Sequence, residues 1–492
     1  MPPGLPRRPV IRLRLRAAFF CLAGLASLLL VSLPSLASNP PAAPGPLLIK
    51  GGTLIDGTGA PPLRHAWVLV EGDRILQVGP AHSFKKPRNA AVLRAGDRTI
   101  LPGLIDAHVH LGISGVIGYT FLRRQAHGLD LFEQNLQSEL LGGVTQVRDL
   151  HMPVAMGKSL TERVRQDPRE GARLIYSGPI LSAPEGYGFP YSVPVASLDQ
   201  ARDRVDELVQ EGAGVVKIAV TSRQLGNAHI PPMDAGVAKA IVEEAHLKGL
   251  KVAAHVAGAT ADDLKAAVDA GVDSLEHMPG TFDPLGLPDV SYTSSGLLPE
   301  ILAGKITIVP TLSVEAGDDY GPTLGYLTED PSLLIRLTPM QRNTLAANLK
   351  DFSINSRRQA IAEAGKKRMK LFQEEVLRLY QAGVTIGAGT DAGNGLTFHG
   401  NLHTEIELLA ESGIPPMETL RIATSGNARL LGIEDLSGSV EPGKRADLLL
   451  VRGDPLEDLR VLRSVDRVVI AGRVVEVAEM VKAAVKEAKK KK

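Results

Sequence analysis

The strongest constraint on this chain is a repeated alternation. Between about residue 100 and residue 391, eight short apolar runs each precede a stretch of helical character. The runs are ILPGLIDAHVH (100–110), GVTQVRDL (143–150), ARLIYSG (172–178), GVVKIAV (214–220), LKVAAHV (250–256), VDSLEHM (272–278), ITIVPTL (306–312) and VTIGAGTD (384–391). Runs with little polar alternation suit strands covered on both faces, as in a parallel sheet flanked by helices. A glycine ends the helical stretch just before three of them: Gly249, Gly271 and Gly383. Eight β/α units in succession predict an α/β fold of the (β/α)8 barrel type. The interval from about 280 to 380 is oversized for one unit and predicts a loop insertion with a long charged helix, 354–381.

Both ends have a different texture. Residues 47–100 read as short alternating strands broken by Gly and Asp, and the pattern returns in RADLLLVRGD and VDRVVIAGRVVEV near the other end. One accessory β-domain assembled from both ends accounts for this. The expected organisation is a signal peptide over 1–37, a Pro/Ala linker over 38–46 and β-domain segments over 47–100 and 436–477. They bracket a barrel over 101–435, and a basic helix or tail follows over 478–492.

The first 37 residues predict export. Arg7, Arg8, Arg12, Arg14 and Arg16 precede the apolar run 17–31, and Ser35-Leu36-Ala37 has the small-x-small pattern of a cleavage site. A periplasmic or secreted protein follows, with an uncleaved N-terminal anchor as the alternative. Since the run is short against the roughly 20 residues a span needs, no stable membrane span is expected after removal. Losing five Arg and no acid from a net charge of +1 leaves 1 − 5 = −4, which does not favour nucleic acid. The single cysteine, Cys21, leaves with the signal, so a metal would have to be held by His, carboxylate or something rarer.

The polar residues that close the apolar runs carry the chemistry. His108 and His110 are two apart on a strand, so both imidazoles point to one face. At a barrel strand's C-terminal end that face is the mouth, where active sites sit, and two neutral imidazoles there suit a cation. Lys217 lies inside an apolar run, where an ammonium is costly to bury. Two readings stand: its head pairs with an acid at the strand end, or a neutral amine takes up carbon dioxide as a carbamate. His255 and His277 close two further runs, either as hydrogen-bonded core histidines or as ligands. Asp391 closes the eighth among small neighbours, as a ligand or as a cap for the next helix. Six such residues at the ends of the first, fourth, fifth, sixth and eighth runs favour a common site.

The set LPGLIDAHVHL, VVKIAV, AAHV, LEHM and AGTDAG resembles the amidohydrolase superfamily, as does HGNLHTEIELLAESGIPPMETLRIATSGNARLLGIEDLSGSVEPGKRADLLLV. The likeness covers about residues 47–477 and is greatest to the imidazolonepropionase-related and Xaa-Pro dipeptidase-like branch with a carboxylated lysine. It implies a distorted barrel and a small β-sandwich built by both chain ends. His108, His110 and Asp391 would hold one divalent ion, His255 and His277 a second, and a carbamate on Lys217 would bridge them. Zinc is the default metal for such a set. A bridging hydroxide would attack the carbonyl, with Asp391 carrying its proton to the leaving amine.

The substrate implied is small or peptidic: a dipeptide or N-acyl amino acid with a free carboxylate, or alternatively a cyclic amide or lactone. Arg223, in the fork geometry that suits a carboxylate, and His151, Tyr187, His229 and His399 are the weaker candidates for contacts with it. Tyr187 stands in SAPEGYGFP, a departure from the Gly- and His-containing loop that relatives often have there. A deaminase is disfavoured because VAG, with no glutamate, follows His255. Relatives of this kind commonly form large assemblies, so a homo-oligomer is expected. Arg148 and Asp149 are expected to pair with each other.

Overall fold

Seven of the eight apolar runs form strands, and each pairs in parallel with a neighbour. Leu104–Val109, Val144–Asp149 and Arg173–Tyr176 make one parallel sheet. Val215–Ala219, Lys251–His255, Ser274–Glu276 and Thr307–Val309 run side by side in a second, joined at its edge by the short strands Leu181–Ser182 and Val193–Pro194. The eighth run makes isolated parallel bridges, Ile308 to Ile386 on one side and Val109 to Ala392 on the other. It touches both sheets without forming a continuous strand, because Gly387 and Gly389 sit where neighbours crowd in. A Cβ on Gly389 would come within 2.7 Å of the His108 Cβ. This is a computed structural model, and it describes residues 45–83, 87–113, 128–225, 228–280, 289–319, 330–354 and 356–490. The export signal and nearly all of the linker lie outside the described residues.

The helices cover the parallel strands with buried apolar faces. Leu198–Gln210 buries Ala201, Val205 and Leu208, and Ala235–Leu247 buries Val237, Ala238, Ile241 and Ala245. Local signals set their ends: Ser197 caps the first, and Asp234 caps the second by accepting from the Val237 N–H. Thr260 and Asp263 form a capping box at the start of Ala261–Ala270, which Gly271 closes in the left-handed conformation. The oversized interval holds two successive helices, Pro339–Ile354 and Ser356–Gln381.

Both chain ends share one eight-stranded sheet. Leu448–Arg452 lies antiparallel to Ala91–Pro102, with Leu448 opposite Pro102 and Arg452 opposite Arg98. Strand alternation sends Leu47 and Ile49 into one apolar cluster with Val68, Ile100 and Leu448, while Leu48 packs with Leu69 and Ala90 in another. Among the described residues no helix is long and apolar enough to cross a membrane.

Two buried polar residues pin the first and eighth runs together beneath the site. Asp106 accepts from the backbone N–H groups of His108 and Thr390 at 3.1 Å each and from the Thr390 hydroxyl at 2.7 Å. Asn427 donates to the carbonyls of Ile105 and Ala388, at 2.6 and 2.7 Å, and accepts from the Ala388 N–H. His108 and Asp391 therefore meet on backbones that are stapled side by side.

Candidate active site

His108, His110 and Asp391 converge at the junction of the first and eighth runs. Their ligand atoms lie within 4.8 Å of one another, and all three residues are buried. His110 Nε2 is 2.9 Å from Asp391 Oδ1, His108 Nε2 is 3.5 Å from the same oxygen, and the two Nε2 atoms are 3.4 Å apart. Two donors each about 2.0–2.1 Å from one tetrahedral zinc stand roughly 3.3 Å apart, so the triangle has the size of a ligand set. Asp391 is held in the left-handed region at φ 55° while its N–H bonds the His108 carbonyl at 2.8 Å. Positive φ in a non-glycine residue stores strain, which persists where surrounding bonds over-determine it. Asn394 donates to Asp391 Oδ1 at 2.8 Å. Burial alone would raise the Asp391 pKa, but the His110 hydrogen bond and the charges of His110, His108 and His277 hold it well below the usual carboxylate range.

A buried acid orients His108. Glu276 Oε2 is 2.8 Å from His108 Nδ1, and Glu276 Oε1 takes 2.7 and 2.6 Å hydrogen bonds from Arg148 Nη2 and the Ser274 hydroxyl. With Nδ1–H donating to the Glu276 carboxylate, His108 turns the Nε2 lone pair toward His110 and Asp391. Burial, then the Lys217 charge, lowers the His108 pKa to about 3. The imidazole is therefore neutral and able to ligate at neutral pH. Against the desolvation that would raise it, the Arg148 charge and the His108 hydrogen bond keep Glu276 strongly acidic.

The other three predicted residues form an adjoining group with unmet polar demand. His255 and His277 stand ring to ring, centroids 4.6 Å apart, and the His277 ring is 4.9 Å from that of His108. Burial brings the His277 pKa down to about 4 and takes that of His255 well below its ordinary value. Lys217 is 1% exposed, and its Nζ has no hydrogen-bond partner. Burial lowers its pKa to about 8, with Glu276 opposing the shift and Arg148 adding to it. His255 Nε2 and His110 Nδ1 are likewise buried without partners. Native interiors satisfy nearly all such groups, so three orphans on the candidate ligands themselves mark a site that is completed from outside the chain.

A model of the amidohydrolase family matches residues 99–475. The chain belongs to the amidohydrolase family. It is a hydrolase acting on carbon–nitrogen bonds, of a family that uses divalent metal, and the His108–His110–Asp391 group is able to bind one. Among its relatives is an uncharacterised protein of Mycobacterium tuberculosis, 28% identical over 379 residues, covering 76% of this chain and 84% of the relative. An imidazolonepropionase of Streptomyces griseus is 24% identical over 411 residues, 82% of this chain and 90% of its own length. Among solved structures, a Xaa-Pro dipeptidase with methionine bound in its active site superposes with a TM-score of 0.67 at 26% identity, over 88% of this chain and all of that one. The chain thus resembles an imidazolonepropionase in sequence and a Xaa-Pro dipeptidase in structure.

The amidohydrolase frame places the weaker candidates unequally. Tyr187 stacks on His255, with centroids 3.9 Å apart and planes 27° apart, so its loop reaches the site. The His151 ring lies 6.4 Å from that of His110, and its Nδ1 accepts weakly from the Ile180 N–H at 3.4 Å. Burial, then the charges of His110 and Lys217, lowers its pKa to about 4. His399 is tied down instead: Nδ1 lies 2.8 Å from Glu139 and Nε2 3.1 Å from the Ile113 carbonyl, so both ring nitrogens are engaged. Arg223 and His229 fall on a two-stranded hairpin after the Lys217 strand, Arg223–Leu225 paired with Ala228–Ile230. Their side chains lie outside the described residues. The expected Arg148–Asp149 pair is not formed. Neighbours on a strand point to opposite faces, so Arg148 goes to Glu276 while Asp149 accepts from the Leu111 and His151 N–H groups at 2.6 and 2.9 Å. Glu276 is the residue that sequence reasoning missed. Its signal was an acid inside an apolar run, one residue before His277.

Proposed function

We propose that this chain is an exported, binuclear metal-dependent hydrolase that cleaves the amide or peptide bond of a dipeptide or N-acyl amino acid bearing a free carboxylate. One observation carries the reading. A ligand-sized triangle of His108, His110 and Asp391 adjoins a pair of neutral histidines and a buried lysine whose Nζ has no hydrogen-bond partner. The residues fit a metal pair: His108, His110 and Asp391 would hold one ion, His255 and His277 the other, and Lys217 as a carbamate would lie between them. A carbamate supplies the anion that the orphaned Nζ lacks, and a Lys217 pKa near 8 supports the neutral amine that carbon dioxide requires. Zinc is the metal this His and carboxylate set suits. When bound, the ions would polarise the scissile carbonyl and acidify water.

The chain's own residues do the rest. Asp391, ionised at neutral pH, takes the proton of the attacking water and returns it to the leaving amine. Among the described residues, its side-chain contacts with Asn394, His110 and His108 all fall on Oδ1, so Oδ2 is the atom to carry that proton. Glu276 and Arg148 keep His108 oriented throughout. Arg223, which follows the Lys217 strand, is the candidate clamp for the substrate carboxylate, with His151, Tyr187 and His229 as further candidate contacts. The parallel strands and their bridges support a closed, distorted (β/α)8 barrel over 101–435, and the shared end sheet supports a sandwich over 47–100 and 436–477. The basic, apolar N-terminal segment supports export to the periplasm or medium, or retention by an N-terminal anchor. A homo-oligomer completes the proposal.

A second reading, hydrolysis of a cyclic amide, is supported by the likeness to imidazolonepropionase over 82% of the chain. Screening the zinc-loaded protein against dipeptides, N-acyl amino acids and cyclic amides tests both. Hydrolysis of a carboxylate-bearing linear amide, abolished by chelation and restored by zinc, is the expected result. Turnover of cyclic amides alone would shift the assignment to the second reading. A protein that retains no metal and hydrolyses nothing would overturn the enzyme reading.

A further inference from the structure

The motif HTEIELL places Glu405 on the helix Leu402–Glu411, fully buried and in contact with none of the six site residues by any hydrogen bond described. Its carboxylate is fully engaged elsewhere. Oε1 accepts from the Leu312 N–H at 3.0 Å, and Oε2 accepts from the Ser313 N–H at 2.7 Å and the Ser313 hydroxyl at 2.6 Å. These donors open the helix Leu312–Asp319, where exposed N–H groups favour an anion. The residue just before them, Thr311, has φ 51° and is fully buried. A β-branched residue seldom adopts that conformation, and glycine would adopt it without strain. Glycine would have no hydroxyl, and the Thr311 hydroxyl lies 2.8 Å from His277 Nδ1.

We propose that Glu405 is a positioning residue for His277. By clamping Leu312 and Ser313 it holds Thr311 in the left-handed conformation, from which the hydroxyl accepts the Nδ1 proton and leaves Nε2 of His277 as the lone-pair donor. The rest of His277 is fixed independently. Its N–H bonds the Val309 carbonyl at 2.8 Å, and its carbonyl takes the Tyr292 hydroxyl at 2.6 Å. The ring therefore depends on Thr311 for its tautomer, and Thr311 depends on Glu405. Outer partners of this kind set the tautomer of a ligating histidine, and their loss weakens metal binding by about 10–100-fold.

This relay rests on the binuclear reading for its metal consequence but not for its tautomer. The test therefore uses two readouts on the full chain: histidine 15N chemical shifts of the metal-free protein, and zinc retained per chain by mass spectrometry. Wild type is expected to show His277 as a single Nδ1–H tautomer. Thr311→Val and Glu405→Gln are each expected to mix the tautomers and weaken the second zinc by about 10-fold or more. Thr311→Ser is expected to keep both properties, and the Thr311→Val/Glu405→Gln double variant to be no worse than Thr311→Val alone. A folded Glu405→Gln with wild-type tautomer, or losses that add in the double variant, would overturn the relay. If Glu405→Gln does not fold, Ser313→Ala decides, because it removes one of the three clamp bonds. A smaller shift in the same direction supports the relay, and no shift overturns it. Wild type holding only one zinc would sink the binuclear reading while leaving the tautomer test intact.

Discussion

The two halves of the site are built on opposite principles. Around His108, His110 and Asp391 most polar atoms are answered and His110 Nδ1 is the exception: Glu276 and Arg148 stand behind His108, Asn394 beside Asp391, Asp106 and Asn427 under the strands. Around Lys217, His255 and His277 the protein leaves an ammonium and an imidazole nitrogen buried without partners. The first half is a preorganised ligand set. The second is a set of groups whose desolvation is uncompensated until something enters. That difference identifies the second half as the part whose chemistry depends on an added group.

The largest effect should come from the first half. Asp391→Asn keeps the shape but removes the proton carrier, and kcat should fall by roughly 10²–10⁴-fold in a steady-state assay. A fall of less than tenfold would move that role to another residue. Glu276→Gln should come next, because it leaves Arg148 buried without its carboxylate. Breaking one side of a buried ion pair costs about 3–5 kcal/mol, and urea unfolding at pH 7 reads the loss directly. A change within 1 kcal/mol of wild type would mean that the pair does not hold this half together.

The second half should respond in the opposite sense. In the metal-free protein the Lys217 pKa is lowered from 10.5 to about 8. Between these values the unfolded chain binds the extra proton, so folding stability rises with pH through that window. Below about pH 8 both states are charged, and the full cost of about 3 kcal/mol applies. Metal-free Lys217→Met should therefore be more stable than wild type at pH 7, should lack that rise between pH 8 and 10.5, and should bind one ion fewer. Equal stability with an unchanged pH slope would show that the ammonium is not penalised. The smallest effect is expected from Asn394→Ala. It loses one half-exposed hydrogen bond to Asp391, about 1 kcal/mol or roughly fivefold in kcat.

Sequence legibility followed the same divide between local and long-range information. His108 and His110 were readable because a two-residue spacing on a strand places both on one face. Lys217 was readable because a cation inside an apolar run needs a reason. The Gly-stopped helices made the alternation of elements legible, and the strands appeared within the expected runs. The eighth run was the exception: its glycines admit the backbone closely to His108 at the expense of a regular strand. Glu276 was not singled out because its partner Arg148 lies 128 residues away, on a strand that pairing within the chain brings near. The same distance problem produced the false Arg148–Asp149 pair. His399 looked close to the pocket along the chain, yet the Glu139 carboxylate, 260 residues earlier, engages its ring. Contacts set by the tertiary fold leave no local pattern to read.

The central claim is that Lys217 joins two metal-binding halves into one centre. Anomalous diffraction at the zinc edge from crystals grown with zinc and bicarbonate tests it most directly. The account predicts two peaks per chain, one among His108, His110 and Asp391 and one beside His255 and His277, with carboxylate density continuous with Lys217 Nζ between them. A single peak, or two peaks with a bare Lys217 amine, would contradict it.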